Sequence, residues 1–215
     1  MRKLRIRSDL RIMSEEHLYP VLQFAYETRF TYDGNDRSKE EAINYAKNFQ
    51  RSYPYRVLVL LAWLDECITG VPAEDLERIG LKVSEFVKLS EYHETYKTET
   101  QYTETHRRVE EFKQLSIPQM SMSIDMGFLL GVFLAQLDTP DIEWNMRMRG
   151  KTCDGYHQMT LVWKGKTITY DPIADSIGWS NAIAQGKRSH RIWCEFYLRW
   201  QDILEGREPR NLIGV

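Results

Sequence analysis

Cysteine is scarce in this 215-residue chain: Cys67, Cys153 and Cys194 are the full set. An odd count at long spacings writes no disulfide framework, and no CxxC pair marks a zinc knuckle. Charge of one sign is lacking as well. Lys and Arg number 29 against 31 Asp and Glu, a formal net charge of -2, so nothing global points to a nucleic acid or an acidic membrane as partner. The longest apolar run, residues 57–64, has 8 members, whereas a bilayer takes about 20. Behind the cationic start Arg2, Lys3, Arg5, Arg7 and Arg11 there is no apolar stretch, which does not suit a secretory signal. The expectation is a soluble, cytoplasmic protein with reduced cysteines. The basic arm reads as a solvated tail or terminal strand.

What is present is ordinary globular material. Hydrophobic residues make up 42% and charged residues 28%, with 6 Trp, 12 Tyr and 8 Phe, which excludes disordered and collagen-like chains. A chain of this length can bury about 70% of its unfolded surface without disulfides.

The first half reads as helices. Ser38 and Glu41 have capping-box spacing and open a helix over 39–50. Residues 55–69 are apolar nearly all round and stop before Gly70 and Pro72, which predicts a buried helix. Residues 15–30 and 83–89 are further helical candidates. Residues 91–108 are polar and almost free of aliphatics, suiting an exposed helix or a solvated connector. His93 and His106 would be solvated on it.

The second half changes period. Residues 126–137 form an apolar helical stretch in which Gly127, Gly131 and Ala135 fall on one face, where another element could approach closely. Residues 142–149 alternate strictly and predict a strand. Residues 157–162 and 166–170 suit a hairpin. Trp193, Tyr197, Trp200 and Leu204 recur at helical spacing up to Gly206 and read as core or subunit contact. The boundary falls near Ser116-Ile117-Pro118, separating a helical region, 1–115, from a second region, 116–215. The fold class expected is α+β, a helical N-terminal part packed on a central helix against an antiparallel sheet.

Three residues invite a chemical reading. Ser123 precedes the apolar helix, where free backbone N–H groups and the helix dipole would favour a nucleophile or an oxyanion. His157 opens the hairpin and Asp171 closes it. A three-residue turn, Trp163-Lys164-Gly165, would pair Val162 with Lys166 and set His157 opposite Asp171; a two-residue turn would put them on opposite faces. Taken singly, Ser123 suits a helix cap, His157 a half-buried strand residue and Asp171-Pro172 a turn. Cys153 is a rival nucleophile on a turn-like loop, and with Asp154 and His157 it offers three metal-ligand types but no fourth. Cys67 and Cys194 read as core packing.

The order of these segments resembles the transglutaminase-like domain of the papain-like superfamily. Ser123-Ile124-Asp125-Met126-Gly127 fits the nucleophile helix, Tyr156-His157-Gln158-Met159-Thr160-Leu161-Val162 the His strand and Thr169-Tyr170-Asp171-Pro172 the Asp-Pro ending. The resemblance covers residues 117–215. It implies acyl transfer or amide hydrolysis on a protein or peptide amide, with Ser123 (or a Cys it replaces) as nucleophile, His157 as base and Asp171 as orienting group. Gln119 is a candidate oxyanion donor, against a plain loop amide. No metal or organic cofactor is implied. Two departures stand out: serine occupies the cysteine position, and Met159 replaces the usual aromatic after the His. An engineered Cys-to-Ser change, a degenerate scaffold and a true serine enzyme are all open. The alternative function is a non-catalytic interaction or structural protein that keeps the fold.

Overall fold

Helix α1, Lys39–Trp63, begins at the expected capping box: Ser38 Oγ accepts from the Glu41 amide and the Glu41 carboxylate accepts from the Ser38 amide. The computed structural model describes residues 19–20, 38–89, 94–101, 107–138, 141–146, 158–164 and 169–209, the strands at 94–101 and 107–114 by their backbone alone. The expected helix over 15–30 therefore lies outside the described residues, apart from Tyr19 and Pro20.

The two helices expected over 39–50 and 55–69 are one. α1 runs through Pro54, although an interior proline removes a backbone bond and costs roughly 3 kcal/mol. Burial on both sides of it offsets that cost, since Phe49, Val57, Leu60 and Leu61 all enter the core. The helix ends at Trp63 rather than near Gly70, because Asp65 turns the chain into the left-handed region at φ 52. Nor is its C-terminal half buried all round: Tyr55 is 61% exposed and Leu58 54%. Cys67 is exposed rather than packed, while Cys194 is buried as expected.

Helix α2, Pro72–Val87, follows with Pro at its first turn. Buried Asp75 accepts from the Thr69 amide and hydroxyl and so fixes the connecting turn. Where it is described, the polar segment is neither helix nor loose connector. It forms strands β1, Glu94–Gln101, and β2, Arg107–Gln114, paired antiparallel. The Thr and Tyr residues of β1 suit a strand, whereas β2 is mostly Arg, Glu, Lys and Gln, which local propensity alone would not place in one.

Helix α3, Ile117–Leu137, is the hub, and every residue from 121 to 131 is buried. It touches α1, α2, the strand Ile142–Met146 and the two C-terminal helices. Length and composition alone would let this helix cross a membrane, but 72% of its apolar window is covered by the rest of the chain. Such all-round burial marks a core helix. Met122, Met126, Leu129 and Leu130 are wholly enclosed, each contributing about 1.5–3 kcal/mol of apolar burial.

Strands β3, Ile142–Met146, β4, Met159–Trp163, and β5, Thr169–Tyr170, form an antiparallel sheet in that order. Helices α4, Pro172–Ala184, and α5, Ile192–Leu204, are the last elements among the described residues. The small face of α3 does what its spacing suggests. A Cβ on Gly127 would stand 2.7 Å from the Ile173 Cα, so the start of α4 crosses there backbone to backbone. A Cβ on Gly131 would run into the Trp144 ring, so the indole lies flush on the helix. Phe49, Phe128 and Trp144 close over this seam, with Phe49 4.9 Å from Trp144 between ring centres. On α5, Trp193 and Tyr197 are core, and the Trp193 indole donates to Ser176 Oγ at 3.0 Å. The class is α+β, and one hydrophobic cluster draws on residues from both sides of Ser116.

Candidate functional site

Ser123 is not at a helix start. α3 begins six residues earlier, at Ile117, with Ser116 and Gln119 as a second capping box. Ser123 therefore stands in the second turn, where its own N–H lies inside the helix and no dipole end faces it. Its side chain is fully enclosed, and the hydroxyl donates to the Gln119 carbonyl at 2.8 Å. This is the ordinary way a mid-helix serine satisfies itself.

Gln119 is equally committed. Its Oε1 accepts from the Ser116 amide at 3.0 Å, and its Nε2 donates toward the carbonyls of Phe86, Val87 and Leu89 at 3.1, 3.3 and 3.2 Å. Those carbonyls stand at the C-terminal end of α2 and just beyond it. Gln119 thus ties the end of α2 to the start of α3, and its amide hydrogens are not turned toward a reacting group.

Asp171 is the N-cap of α4. Its Oδ1 accepts from the Ile173 and Ala174 amides, both at 3.0 Å, and Pro172 takes the first helical position. Burial pushes its carboxyl above the usual range, the two amides pull it back, and Asp175 adds to the rise.

The hairpin register also differs from the expected one. Leu161 pairs with Tyr170 and Val162 with Thr169, so Val162 does not pair with Lys166. One further step in this register would bring Asp171 level with Thr160. The cause is Trp163. Instead of entering the turn it ends β4, pairs with Ile142, and buries its indole beside Trp200. His157 itself lies outside the described residues, as do Cys153 and Asp154. Ser123, Gln119 and Asp171 are each used for local structure, and the first two are fully buried.

The most unusual chemistry lies at a neighbouring position of α3. Asp125 is fully buried and accepts from Arg56 Nε at 3.0 Å, from Arg56 Nη2 at 2.5 Å and from the Tyr19 hydroxyl at 2.5 Å. Arg56 Nη2 also donates to the Pro20 carbonyl at 2.8 Å, and its guanidinium lies 5.5 Å from the Tyr19 ring centre. Burial raises the Asp125 carboxyl to about 6, against the pull of Arg56 and of the hydrogen bonds from Arg56 and Tyr19. The Tyr19 hydroxyl is pushed up, first by burial and then by the Asp125 charge. This cluster fastens residues 19–20 to the seam between α1 and α3. A sequence signal existed: Arg56 and Asp125 are lone, oppositely charged residues in two apolar helical stretches, and a buried charge calls for a partner.

Among the described residues no three His, Cys, Asp or Glu side chains gather in a metal-binding group. An almost wholly apolar recess lined by Leu134, Ile142, Leu161, Trp163, Tyr170 and Trp200 has room for little more than a water molecule. Comparison with known proteins finds no matching family model, curated protein or solved structure.

Proposed function

We propose that this chain is a non-catalytic interaction protein, with α3 as a structural hub and not a nucleophile helix. The observation that carries this reading is the enclosure of Ser123, whose hydroxyl is bonded to its own helix. A nucleophile must reach a substrate carbonyl and have a base within hydrogen-bond reach. The commitments of Gln119 and Asp171 support the same reading. So does the outer side of α1, where Tyr55 and Leu58, three residues apart, leave apolar surface on one exposed face.

The papain-like alternative draws its support from element order. A buried helix is followed by three antiparallel strands, and an Asp-Pro pair follows the last of them. Under that reading the protein transfers or hydrolyses an amide through Ser123, His157 and Asp171, and Ser123 must become accessible.

The experiment is Ser123→Cys treated with a thiol-directed acylating probe and read by peptide mass spectrometry, so that positions 67, 123, 153 and 194 are followed separately. The expected result is labelling of Cys67 in the native protein, with position 123 labelled only after denaturation. Rapid native labelling at position 123 that disappears on adding His157→Ala would overturn the proposal in favour of the acyl-transfer reading.

A further inference from the structure

We infer that β2 is the docking edge for a second copy of this chain, pairing antiparallel with its own counterpart to build a four-stranded sheet across a two-fold axis. The β1–β2 ladder runs from Glu94 opposite Gln114 to Gln101 opposite Arg107. Among the described residues no third strand joins it, and the two strands contact chiefly each other. A two-stranded ribbon is marginal in water by itself, and its outer edges present rows of unpaired N–H and C=O groups.

The residues along β2 indicate which partner fits. Arg107-Arg108-Val109-Glu110-Glu111 is a charge palindrome. Antiparallel self-pairing about Val109 sets Arg107 opposite Glu111 and Arg108 opposite Glu110, each twice by symmetry. Directly opposed unlike charges stabilise a sheet, and like charges destabilise it. Moving the axis one residue either way is penalised: about Arg108 that residue meets itself, and about Glu110 that residue meets itself while Arg107 meets Lys113. The charge pattern therefore selects a register as well as a partner. The same operation on β1, about Thr98, matches only Lys97 with Glu99. Pairing β1 of one copy with β2 of the next would be head-to-tail and need not close, whereas β2 with β2 closes as a dimer.

Within one ribbon Arg108 stands opposite Thr100 and Glu110 opposite Thr98. Reversing either charge therefore sets no like charges opposite each other inside a single copy. The test uses the full chain in sedimentation equilibrium, with the wild type, Arg108→Glu, Glu110→Arg and an equimolar mixture of the two variants. The wild type is expected to dimerise and each variant alone to self-associate about tenfold or more weakly. The mixture is expected to recover wild-type association, because every reversed residue then meets its complement. Arg108→Gln, which removes the pair without adding repulsion, is expected to weaken association less, and it serves if a charge-reversed chain fails to fold by circular dichroism. A wild type that stays monomeric across about 1–100 μM overturns the inference. So does a dimer indifferent to these changes, or a mixture no stronger than its folded components. The inference makes no use of Ser123, so it and the proposed function fail separately.

Discussion

Replacing Asp125 by Ala removes the acceptor shared by two Arg56 nitrogens and the Tyr19 hydroxyl. Arg56 is 5% exposed and Tyr19 0%, so neither group gains water in exchange. Leaving one member of a buried ion pair uncompensated costs about 3–5 kcal/mol, a large share of a total stability of about 5–15 kcal/mol. With a urea dependence of about 2 kcal/mol per molar, the unfolding midpoint falls by about 2 M. The triple change Tyr19→Phe, Arg56→Met and Asp125→Leu removes every charge and hydroxyl of the cluster at similar volume. It should return stability to within about 1 kcal/mol of the wild type or above it, since apolar replacement of a buried pair is often neutral or favourable. Urea denaturation followed by tryptophan fluorescence reads both variants, and Trp63, edge-on to Tyr19 at 5.5 Å, lies next to the site. A loss below about 1 kcal/mol for Asp125→Ala, or a triple variant as weak as the single one, would refute the reasoning.

Two other outcomes follow from the same core. The Asp125 carboxyl is raised to about 6, so it binds its proton more tightly folded than unfolded. Its stabilising contribution is fully present below the unfolded value near 4 and is lost as pH rises through about 6. Stability should therefore fall by about 2 kcal/mol between pH 4 and 7 from this group, with Asp171 and Asp175, also raised by burial, sloping the same way. Urea midpoints measured against pH in the wild type and in Asp125→Asn check this, and the variant should lose the larger part of the slope. Gly131→Ala forces the Trp144 ring aside and should cost about 1–3 kcal/mol. Gly127→Ala meets the Pro172 carbonyl and the Ile173 Cα, which are backbone and yield less, so thermal melts should rank it as the more damaging change.

Much of the fold was legible where a local signal had one physical reading. The Ser38–Glu41 box, the four-residue spacing of Gly127, Gly131 and Ala135, the alternation after Ile142 and the aromatic stripe of α5 all became the elements they suggested. The departures share a different cause. Pro54 reads as a breaker, yet tertiary burial carries α1 through it. The polar residues 91–108 lack an apolar face, so periodicity gave no reason to see the paired strands β1 and β2. Trp163 belonged to the strand rather than the turn, and that choice reset the hairpin register. Two signals were present and passed over. Ser116-Ile117-Pro118-Gln119 is a capping box with proline in the first turn, which moves the helix start away from Ser123. Asp171-Pro172 is a helix N-cap followed by a favoured first residue, and it announces α4. The buried Tyr19–Arg56–Asp125 cluster joins residues 106 positions apart, a separation beyond the reach of local pattern.

The central claim is that α3 is an enclosed hub whose polar residues are satisfied from within. Native-state hydrogen exchange across residues 121–131 tests it most directly. The amides of this stretch should exchange only through global unfolding, with protection free energies equal to the unfolding free energy measured in urea. Exchange around Ser123 through local opening, at a free energy several kcal/mol below the global value, would contradict it.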